Sequence, residues 1–367
     1  MKLKVKRETL LRPLQIVNGV VERRQTLPIL SNLLIKAEPD QLILVGTDLE
    51  VEMVAYLQEK PEETGEATLP ARKVLDICRT LPEGAEITLL AEGDRATVRS
   101  GKSRFRLSTL PAVDFPSLED MAVLKEVTVC ERELKHLIER THFAMAQQDV
   151  RYYLNGLMLE IRENELRAVA TDGHRLAMSQ CQASVEGGER EQLIVPRKGV
   201  TELLRLLEES EDTVTLEIGA NHLRIRVHDM SLTTKLIDGR FPDYERVLPQ
   251  GSDKLLVADK NLVKDALTRT SILSNEKFRG VRFALDDNVL KTQAHNPEQE
   301  EAEEEIEVQY QGDPMEIGFN ASYVLDALNA ITGDTVRIQL SDPNSSCLIT
   351  PDSDDAESKY VVMPMRL

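Results

Sequence analysis

Residues 196–207, Pro-Arg-Lys-Gly-Val-Thr-Glu-Leu-Leu-Arg-Leu-Leu, decide the fold because their apolar spacing occurs three times in this chain. Val200, Leu203, Leu204 and Leu207 follow the i, i+3, i+4, i+7 spacing that places side chains on one face of an α-helix. The spacing recurs about 125 residues earlier at Val74, Ile77, Cys78 and Leu81, and about 125 residues later at Val324, Ala327, Leu328 and Ile331. Three copies in series predict three similar domains, and repeats of this kind build concave surfaces or closed rings.

Each copy has the pattern of a mixed helix and strand domain. An amphipathic helix opens the copy, and strand-like runs follow on either side of a turn. The apolar residues of the opening helices are Leu10, Leu11, Leu14 and Val17, then Leu134, Leu137 and Ile138, then Leu262, Val263 and Leu267. The turns are Glu38-Pro39-Asp40, Glu163-Asn164-Glu165 and Asp286-Asp287-Asn288. We therefore predict an α+β fold of three similar domains, each with two helices packed on antiparallel sheets. The predicted domains are residues 1–120, 126–245 and 254–367.

The composition is typical of a cytoplasmic globular protein. A hydrophobic content of 41% in 367 residues is sufficient for several cores. No apolar run approaches the roughly 18 residues of a membrane-spanning helix. The four cysteines are far apart and form no Cys-x-x-Cys pair, and Cys78 lies on a predicted apolar helix face. We therefore expect a reduced, cytoplasmic protein in which Cys78 is a core residue.

The charge distribution is more informative than the net charge of −18, which by itself argues against a nucleic-acid-binding surface. Residues 95–106 carry five basic side chains and no acidic one, whereas residues 298–307 carry seven glutamates and no base. Either run alone is readily explained as a solvated face or an acidic loop. Two opposite runs in the terminal repeats favour a head-to-tail contact between protomers, which must close into a ring or grow into a filament.

Residues for catalysis or cofactor binding were sought in the motifs that such chemistry requires. Residues 171–175, Thr-Asp-Gly-His-Arg, contain an acid and a histidine, but the chain has no Gly-x-Ser-x-Gly or phosphate-binding glycine motif. The six histidines show no zinc-ligand spacing with the cysteines. We therefore expect no catalytic residue, no metal and no cofactor. Residues 147–153, Gln-Gln-Asp-Val-Arg-Tyr-Tyr, suit a loop that contacts a sugar-phosphate backbone or a base, or alternatively a strand start with one tyrosine in the core.

Five longer motifs resemble the bacterial DNA polymerase III β subunits, the replicative sliding clamps. They are Thr171–Leu176, Ile194–Gly199, Asp238–Tyr244, Ser274–Arg282 and Tyr360–Leu367, and the resemblance extends over the whole chain. It implies a head-to-tail homodimer whose six domains close a ring around duplex DNA, with helices inside and sheets outside. It also implies a non-catalytic subunit that tethers the polymerase and other replication and repair proteins to DNA, and an ATP-driven loader that opens one interface. An acidic exterior is compatible with this function, because a ring that slides needs only few and weak phosphate contacts.

The same resemblance assigns residues to three functions. The implied DNA contacts are Arg24, Arg72, Gln148, Tyr152, Tyr153, Arg197 and Lys198. The implied partner-peptide pocket is lined by Leu154, Thr171, Gly173, His174, Arg175, Leu176, Pro242, Arg246, Val247, Phe278, Asn320, Tyr323, Ser346, Val362, Met363, Pro364, Met365 and Arg366. The implied dimer interface uses Phe105 and Leu107 on one side and Ile272 and Leu273 on the other.

The resemblance also describes the ligand of the pocket. The expected partner segment is short and flexible, with a Gln followed by Leu and a terminal Leu-Phe-like pair. Methionines at 363 and 365 should adapt to different apolar side chains, and Arg175, Arg246 and Arg366 should orient a polar or acidic part of the peptide. Asn344 stands where the family often has an apolar residue, which should weaken the hydrophobic wall of the pocket.

Two other functions are open on the residues alone. One is a repeat scaffold that binds only peptides and whose basic helices serve solubility. The other is a nucleic-acid hydrolase that uses the carboxylates near Asp172.

Overall fold

The structure is a computed structural model that describes residues 1–22, 27–118, 121–185, 190–353 and 357–366. Arg24, an expected DNA contact, lies outside these residues. The helices within them are α1 (Arg7–Val20), α2 (Ala71–Thr80), α3 (Glu131–Glu139), α4 (Arg197–Leu206), α5 (Lys260–Thr270) and α6 (Ala321–Ala330). The content of both helices and antiparallel strands agrees with the predicted α+β class.

The strands of the described residues are, in chain order, β1 (Lys2–Lys6), β2 (Asn32–Ala37), β3 (Leu42–Thr47), β4 (Val51–Leu57), β5 (Gly65–Pro70), β6 (Glu86–Glu92), β7 (Arg95–Ser100), β8 (Ser103–Ser108), β9 (Lys125–Cys130), β10 (Gly156–Arg162), β11 (Glu165–Thr171), β12 (Arg175–Gln182), β13 (Ser184–Val185), β14 (Glu191–Pro196), β15 (Thr213–Ile218), β16 (His222–Val227), β17 (Met230–Lys235), β18 (Lys254–Asp259), β19 (Gly280–Asp286), β20 (Val289–His295), β21 (Glu301–Glu307), β22 (Gln309–Gln311), β23 (Met315–Asn320), β24 (Thr335–Leu340), β25 (Cys347–Pro351) and β26 (Ser358–Val362).

The helices form where the apolar spacing predicts them. In α6 all four predicted positions are buried, including Ile331 just beyond the helix. In α4 the buried stripe runs through Leu206 rather than Leu204, which is only half-buried. In α5 the inclusion of Leu262 in the apolar face was wrong, because its side chain is 53% exposed. The helical period predicts the buried face of a helix to within one residue. Tertiary packing then decides which of two adjacent residues is buried.

The predicted turns are also present. Glu38 to Asp40 connect β2 to β3, and the third turn connects β19 to β20 with Asp287 at φ 43° and Asn288 at φ 65°. Two successive positive φ values are the signature of a type I′ turn, whose twist matches that of the flanking strands. Aspartate and asparagine adopt this conformation more readily than other residues with a Cβ.

The chain divides into two compact units, and the first consists of Met1–Arg132, Ser184–Gly187 and Lys198–Leu236. It contains a four-stranded sheet, β1-β6-β7-β8, and a nine-stranded sheet, β13-β9-β15-β16-β17-β4-β3-β2-β5. The nine-stranded sheet is continuous because β4 pairs antiparallel with β17 from the following repeat. Helices α1 and α2 pack against each other in this unit.

The second unit consists of Glu133–Ala183, Gly188–Arg197 and Ile237–Leu367. It contains a four-stranded sheet, β21-β20-β19-β23, and a nine-stranded sheet, β14-β10-β11-β12-β26-β25-β24-β18-β22. Here β12 pairs antiparallel with β26, close to the end of the chain. Helices α5 and α6 pack against each other. The residues of the predicted central domain are thus shared between the two units.

Burial agrees with the expectations for the cysteines. Cys78 is buried in the core, and none of the four cysteines is disulfide-bonded. Among the described helices, none combines the length and apolar composition that crossing a membrane requires.

Candidate functional site

The implied peptide pocket, which we call the partner groove, is organised by the pairing of β12 with β26. This register sets Arg175 opposite Val362 and Leu176 opposite Val361. Beyond β26, the Met363 N–H donates to the His174 carbonyl at 3.0 Å, and the Met365 N–H donates to the Gly318 carbonyl at 2.8 Å. The tail of the chain is therefore tied by its backbone to the turn before β12 and to β23. The Met363 side chain remains 46% exposed.

An apolar cluster forms the floor beneath this pairing. Leu154, Leu176 and Val361 belong to one buried cluster, together with the Tyr244 ring. The aliphatic members contribute stability by burial, at about 25 cal/mol per Å² of apolar surface. The structure thus brings together two of the predicted pocket residues, Leu154 and Leu176, and adds Tyr244, which sequence reasoning did not assign to the site.

A second part of the groove lies beside the four-stranded sheet of the second unit. Phe278, Met365 and Arg366 line one cavity of about 470 Å³ together with Arg282 and His295. Phe278 is 53% exposed and therefore presents an apolar ring to solvent. An exposed aromatic ring beside a cavity is a feature of binding surfaces rather than of cores.

Arg175, one of the predicted pocket residues, is held by hydrogen bonds within its own chain. Its guanidinium donates to Asp172 at 3.0 Å, to Asp326 at 2.5 Å and to the Phe143 carbonyl at 2.8 Å. It also lies over the Tyr323 ring, 4.5 Å from the centroid. Two carboxylates neutralise its charge and its side chain is largely buried, so Arg175 joins β12 to α6. Asp172 is likewise engaged, because its carboxylate accepts from the backbone N–H groups of His174 and Arg175 in the turn.

The other predicted groove residues divide into turn residues and exposed residues. The Thr171 hydroxyl and Gly173, at φ 88°, shape the turn between β11 and β12, and Asn320 caps α6 through the Ser322 N–H. The residues with exposed or partly exposed side chains are His174, Pro242, Arg246, Val247, Tyr323, Ser346, Pro364 and Arg366, whereas Val362 is buried. Asn344 is exposed in a turn, where its N–H donates to Asp342 at 2.8 Å.

The loop at residues 147–153 exposes its two tyrosines unequally, and they lie in a short 3₁₀ helix, Tyr152–Leu154, rather than at a strand start. Tyr152 is 58% exposed, whereas Tyr153 packs partly buried against the apolar cluster under the groove. Asn155 holds the loop by accepting from the Asp149 N–H and donating to the Asp149 carbonyl, both at 2.9 Å. Hydrogen bonds from Arg151 lower the pKa of Asp149 to about 2. The loop is therefore ordered by its own bonds and presents one aromatic ring to solvent.

The basic residues predicted to contact DNA differ in their availability. The Arg72 side chain on α2 is 57% exposed and has only a loose contact of 3.8 Å with Asp76. The Arg197 guanidinium donates to the Met145 carbonyl at 2.7 Å, and burial lowers its pKa. Lys198 donates to Glu22 at 3.1 Å and to Asp48. Burial lowers the pKa of Lys198, but these bonds raise it overall. Of these three, Arg72 has the exposed side chain, whereas Arg197 and Lys198 are partly buried and hydrogen-bonded to groups of the chain.

The predicted interface segments occupy two sheet edges. Strand β8 is an edge of the first unit's four-stranded sheet, and β21 is an edge of the corresponding sheet in the second unit. On β8 and β7, Arg104 lies opposite Arg99, and the charge of Arg106 lowers the pKa of Arg104. These three arginines make no ion pair with any residue that the structure describes. On β21 the residues Glu301, Glu303, Glu305 and Glu307 share one exposed face, and Lys291 compensates only the middle two.

The four apolar interface residues are not equally exposed. Ile272, in the short helix that follows α5, is 72% exposed, and Leu273 and Phe105 are half-buried. Leu107 is already buried within its own sheet, which leaves little apolar surface for a partner. Of these four side chains, Ile272 therefore has the most solvent-exposed surface that association could bury.

Comparison with known proteins identifies the family. Models of the DNA polymerase III beta subunit match in series: the N-terminal domain at residues 1–119, the central domain at 128–243 and the C-terminal domain at 245–366. Beta sliding clamps of Pseudomonas putida and Escherichia coli are 55% and 54% identical to this chain, over 100% of each chain. The crystal structure of the DNA polymerase III subunit beta from Pseudomonas aeruginosa superimposes with a TM-score of 0.97 at 54% identity, with 100% of both chains covered. A further structure of that organism's clamp, equally similar, is bound to griselimycin.

These matches define the class of protein as a non-catalytic clamp subunit of the replication machinery. The chain belongs to the family of bacterial DNA polymerase III β subunits, the β sliding clamps. Its function is that of a processivity clamp, and the enzymatic alternative drawn from Asp172 is excluded by this membership.

Proposed function

We propose that two copies of this chain join head to tail into a ring that encircles duplex DNA and carries the polymerase along it. The observation that carries this proposal is the complementarity of the two sheet edges. Strand β8 presents uncompensated arginines, and β21 presents a row of glutamates. An unpaired sheet edge is a template for strand addition, and opposite charges set which edges pair and in which register.

The proposed contact explains why the arginines on β8 are tolerated. Like charges directly opposite each other on a sheet are destabilising. Arg99 and Arg104 form such a pair, and Arg106 adds to it. A strand from a second copy that brings Glu301 and Glu307 to this edge relieves the repulsion. Because β8 and β21 lie in different sheets of one chain, each copy offers both halves of the contact and a ring has two identical interfaces.

The partner groove is the proposed docking site for the polymerase and other replication and repair proteins. Support comes from its exposed apolar side chains, Val247, Phe278 and Met363. It comes also from the cavity that Phe278, Met365 and Arg366 line. A short peptide with two apolar side chains would bury only a small area and lose conformational entropy, so we expect affinities of roughly micromolar. Exchange among partners requires such weak binding.

The test of the ring is topological. The protein is loaded with a clamp loader and ATP onto a nicked circular plasmid, and gel filtration then measures how much protein stays with the DNA. At about 0.5 M salt we expect roughly ten times more protein to stay on the circular DNA than on linear DNA. Salt screens ionic contacts but does not open a ring. Loss of the protein after a single restriction cut would support encirclement. Equal retention on linear and circular DNA would indicate ordinary ionic binding, and no retention would favour a scaffold that binds only peptides.

Direct contact with DNA is expected from the loop at residues 147–153. Replacing Gln148 and Tyr152 with alanine should lower loading and DNA affinity by roughly tenfold, because an aromatic ring stacked on a base contributes about 1–3 kcal/mol. The fold and the dimer should be unchanged, because both side chains are exposed. Tyr153 is left intact, since its partial burial against the apolar cluster makes Tyr153→Ala a change to the core as well.

The matched control for this prediction is Val150→Ala. Val150 is in the same loop and almost fully exposed, but it offers no ring to stack. Electrophoretic mobility shift measures the DNA affinity of both variants, and a loader assay measures how much of each is loaded onto DNA. If the double variant loads as well as Val150→Ala, the loop has no part in holding DNA.

A further inference from the structure

A buried carboxylate beside the partner groove has no part in the functions described so far. Glu160 on β10 is completely buried, and its two oxygens accept four hydrogen bonds. The donors are the Tyr244 hydroxyl at 2.7 Å, Arg162 Nε at 2.7 Å, Arg190 Nε at 2.6 Å and Gln192 Nε2 at 2.8 Å. We call these residues with Arg167 the Glu160 cluster.

The cluster holds Glu160 in its charged form. Burial alone raises the pKa of this carboxyl, but the hydrogen bonds from Tyr244, Gln192, Arg162 and Arg190 lower it to about 2. An ionised carboxylate is costly to bury unless its lone pairs are satisfied, so the geometry of its donors is tightly restrained. Three donors come from the nine-stranded sheet or the chain next to it. The fourth, Tyr244, comes from a different segment.

Tyr244 links the cluster to the wall of the groove. It begins a short 3₁₀ helix, Tyr244–Arg246, and its carbonyl accepts from the Val247 N–H at 3.0 Å. The Tyr244 ring is buried among Leu154 and Leu176 of the groove floor, while its hydroxyl donates to Glu160 and accepts from Arg167 at 2.8 Å. The ring and the hydroxyl of Tyr244 thus restrain both the position and the orientation of the turn that presents Arg246 and Val247.

The exposed residues of this turn have little else to hold them. Arg246 pairs with Asp243 at 2.8 Å, which lies in the same turn and therefore does not anchor it to the sheet. Glu245 pairs with Arg162 at 2.5 Å and, more loosely, with Arg167 and Arg190 at 3.7 Å. It is exposed, however, and such pairs contribute about 1 kcal/mol or less each. The buried hydroxyl of Tyr244 is accordingly the main polar tie between the turn and the sheet.

We propose that Tyr244, held by the Glu160 cluster, is a positioning residue that sets the wall of the partner groove for peptide binding. This inference rests on the proposed function of the groove. Its physical basis is preorganisation: a wall already held in its binding position loses less conformational entropy when a peptide binds. Loosening the wall should shorten the lifetime of the complex without removing any atom that touches the peptide.

The test compares two tyrosines that each lose one buried hydroxyl. In Tyr244→Phe the ring stays and the bond to Glu160 is lost. In the control, Tyr310→Phe, the lost bond is the one from the Tyr310 hydroxyl to the Asp313 carbonyl at 2.7 Å, and Tyr310 is not among the predicted groove residues. Thermal unfolding should show that both variants still fold, with the larger loss of stability in Tyr244→Phe, because there a buried carboxylate loses a donor. Fluorescence polarisation with a labelled Gln-Leu-Ser-Leu-Phe peptide should show affinity about tenfold weaker for Tyr244→Phe and within about twofold of wild type for Tyr310→Phe.

A double-mutant cycle with Val247→Ala shows whether Tyr244 acts through the wall. If it does, Tyr244→Phe should weaken binding less when Val247 is already alanine than when it is intact. Griselimycin serves as a second probe, because it binds the related clamp from Pseudomonas aeruginosa. If Tyr244→Phe and Tyr310→Phe bind the peptide equally well while Val247→Ala binds it more weakly, Tyr244 does not position the wall. The proposed groove is then still supported. A Val247→Ala variant that binds like wild type shows instead that the groove itself has been misplaced.

Discussion

Replacing Ile272 and Leu273 together with alanine is expected to convert the proposed dimer into monomers at micromolar concentration. Ile272 is 72% exposed in the single chain, so its full side chain is available for burial against a second copy. Truncating a central apolar anchor of an interface costs about 2 kcal/mol or more. A head-to-tail dimer suffers this loss at both interfaces, and about 4 kcal/mol raises Kd roughly a thousandfold. Sedimentation velocity across a concentration series measures the change.

The matched control for the interface is Leu262→Ala. Leu262 is an exposed leucine near the start of the same helix, α5, and lies outside the proposed contact. It should sediment as wild type does. The charged edges of β8 and β21 are expected to affect mainly the association rate and its salt dependence. A double variant that remains a stable dimer would falsify the interface. Growth of the wild-type protein beyond the size of a dimer with rising concentration would indicate the filament instead of the ring.

Deleting Met363 to Leu367 is expected to abolish peptide and polymerase binding while sparing dimerisation. The deletion removes the exposed Met363 side chain and two residues that line the cavity beside Phe278, Met365 and Arg366. It leaves β26 intact, since that strand ends at Val362 and keeps its pairing with β12 and β25. We expect the affinity for the labelled peptide to fall by roughly a hundredfold or more, because apolar anchors supply most of the affinity of small contacts.

Two measurements make this result specific. Met363→Leu keeps an apolar side chain of similar volume and should bind within roughly threefold of wild type, as volume-conserving apolar exchanges usually do. Sedimentation of the truncated protein should still show the dimer, because Ile272 and the two sheet edges are untouched. Wild-type peptide affinity in the truncated chain would mean that the groove lies elsewhere.

Local patterns were predictable because their causes are local. A helix face depends on residues three and four apart, and α6 has all four predicted positions buried. A hairpin depends on its turn residues, as at Asp287 and Asn288. The error at Leu262 has a tertiary cause: it falls within the helical period, but the neighbouring sheet covers Val263 and Leu267 instead.

The chemistry of individual site residues was less predictable. Arg175, expected to be a peptide contact, is engaged by Asp326, which is 151 residues away along the chain. Lys198, expected to contact phosphate, is engaged by Asp48, 150 residues away. Glu160 and Tyr244 were not assigned to any site, although a glutamate inside the apolar run of residues 157–161 was a signal that could have found Glu160.

By itself, the sequence determined the threefold repeat, the α+β class, the family and the segments that carry the groove and the sheet edges. Only the tertiary structure decided which charges remain available, which tyrosine of the 147–153 loop is exposed, and what holds the wall of the groove. The physical reason is the range of the interactions. Helix and turn propensities act between residues close in the chain, whereas desolvation and ion pairing depend on distances in space that chain folding alone establishes.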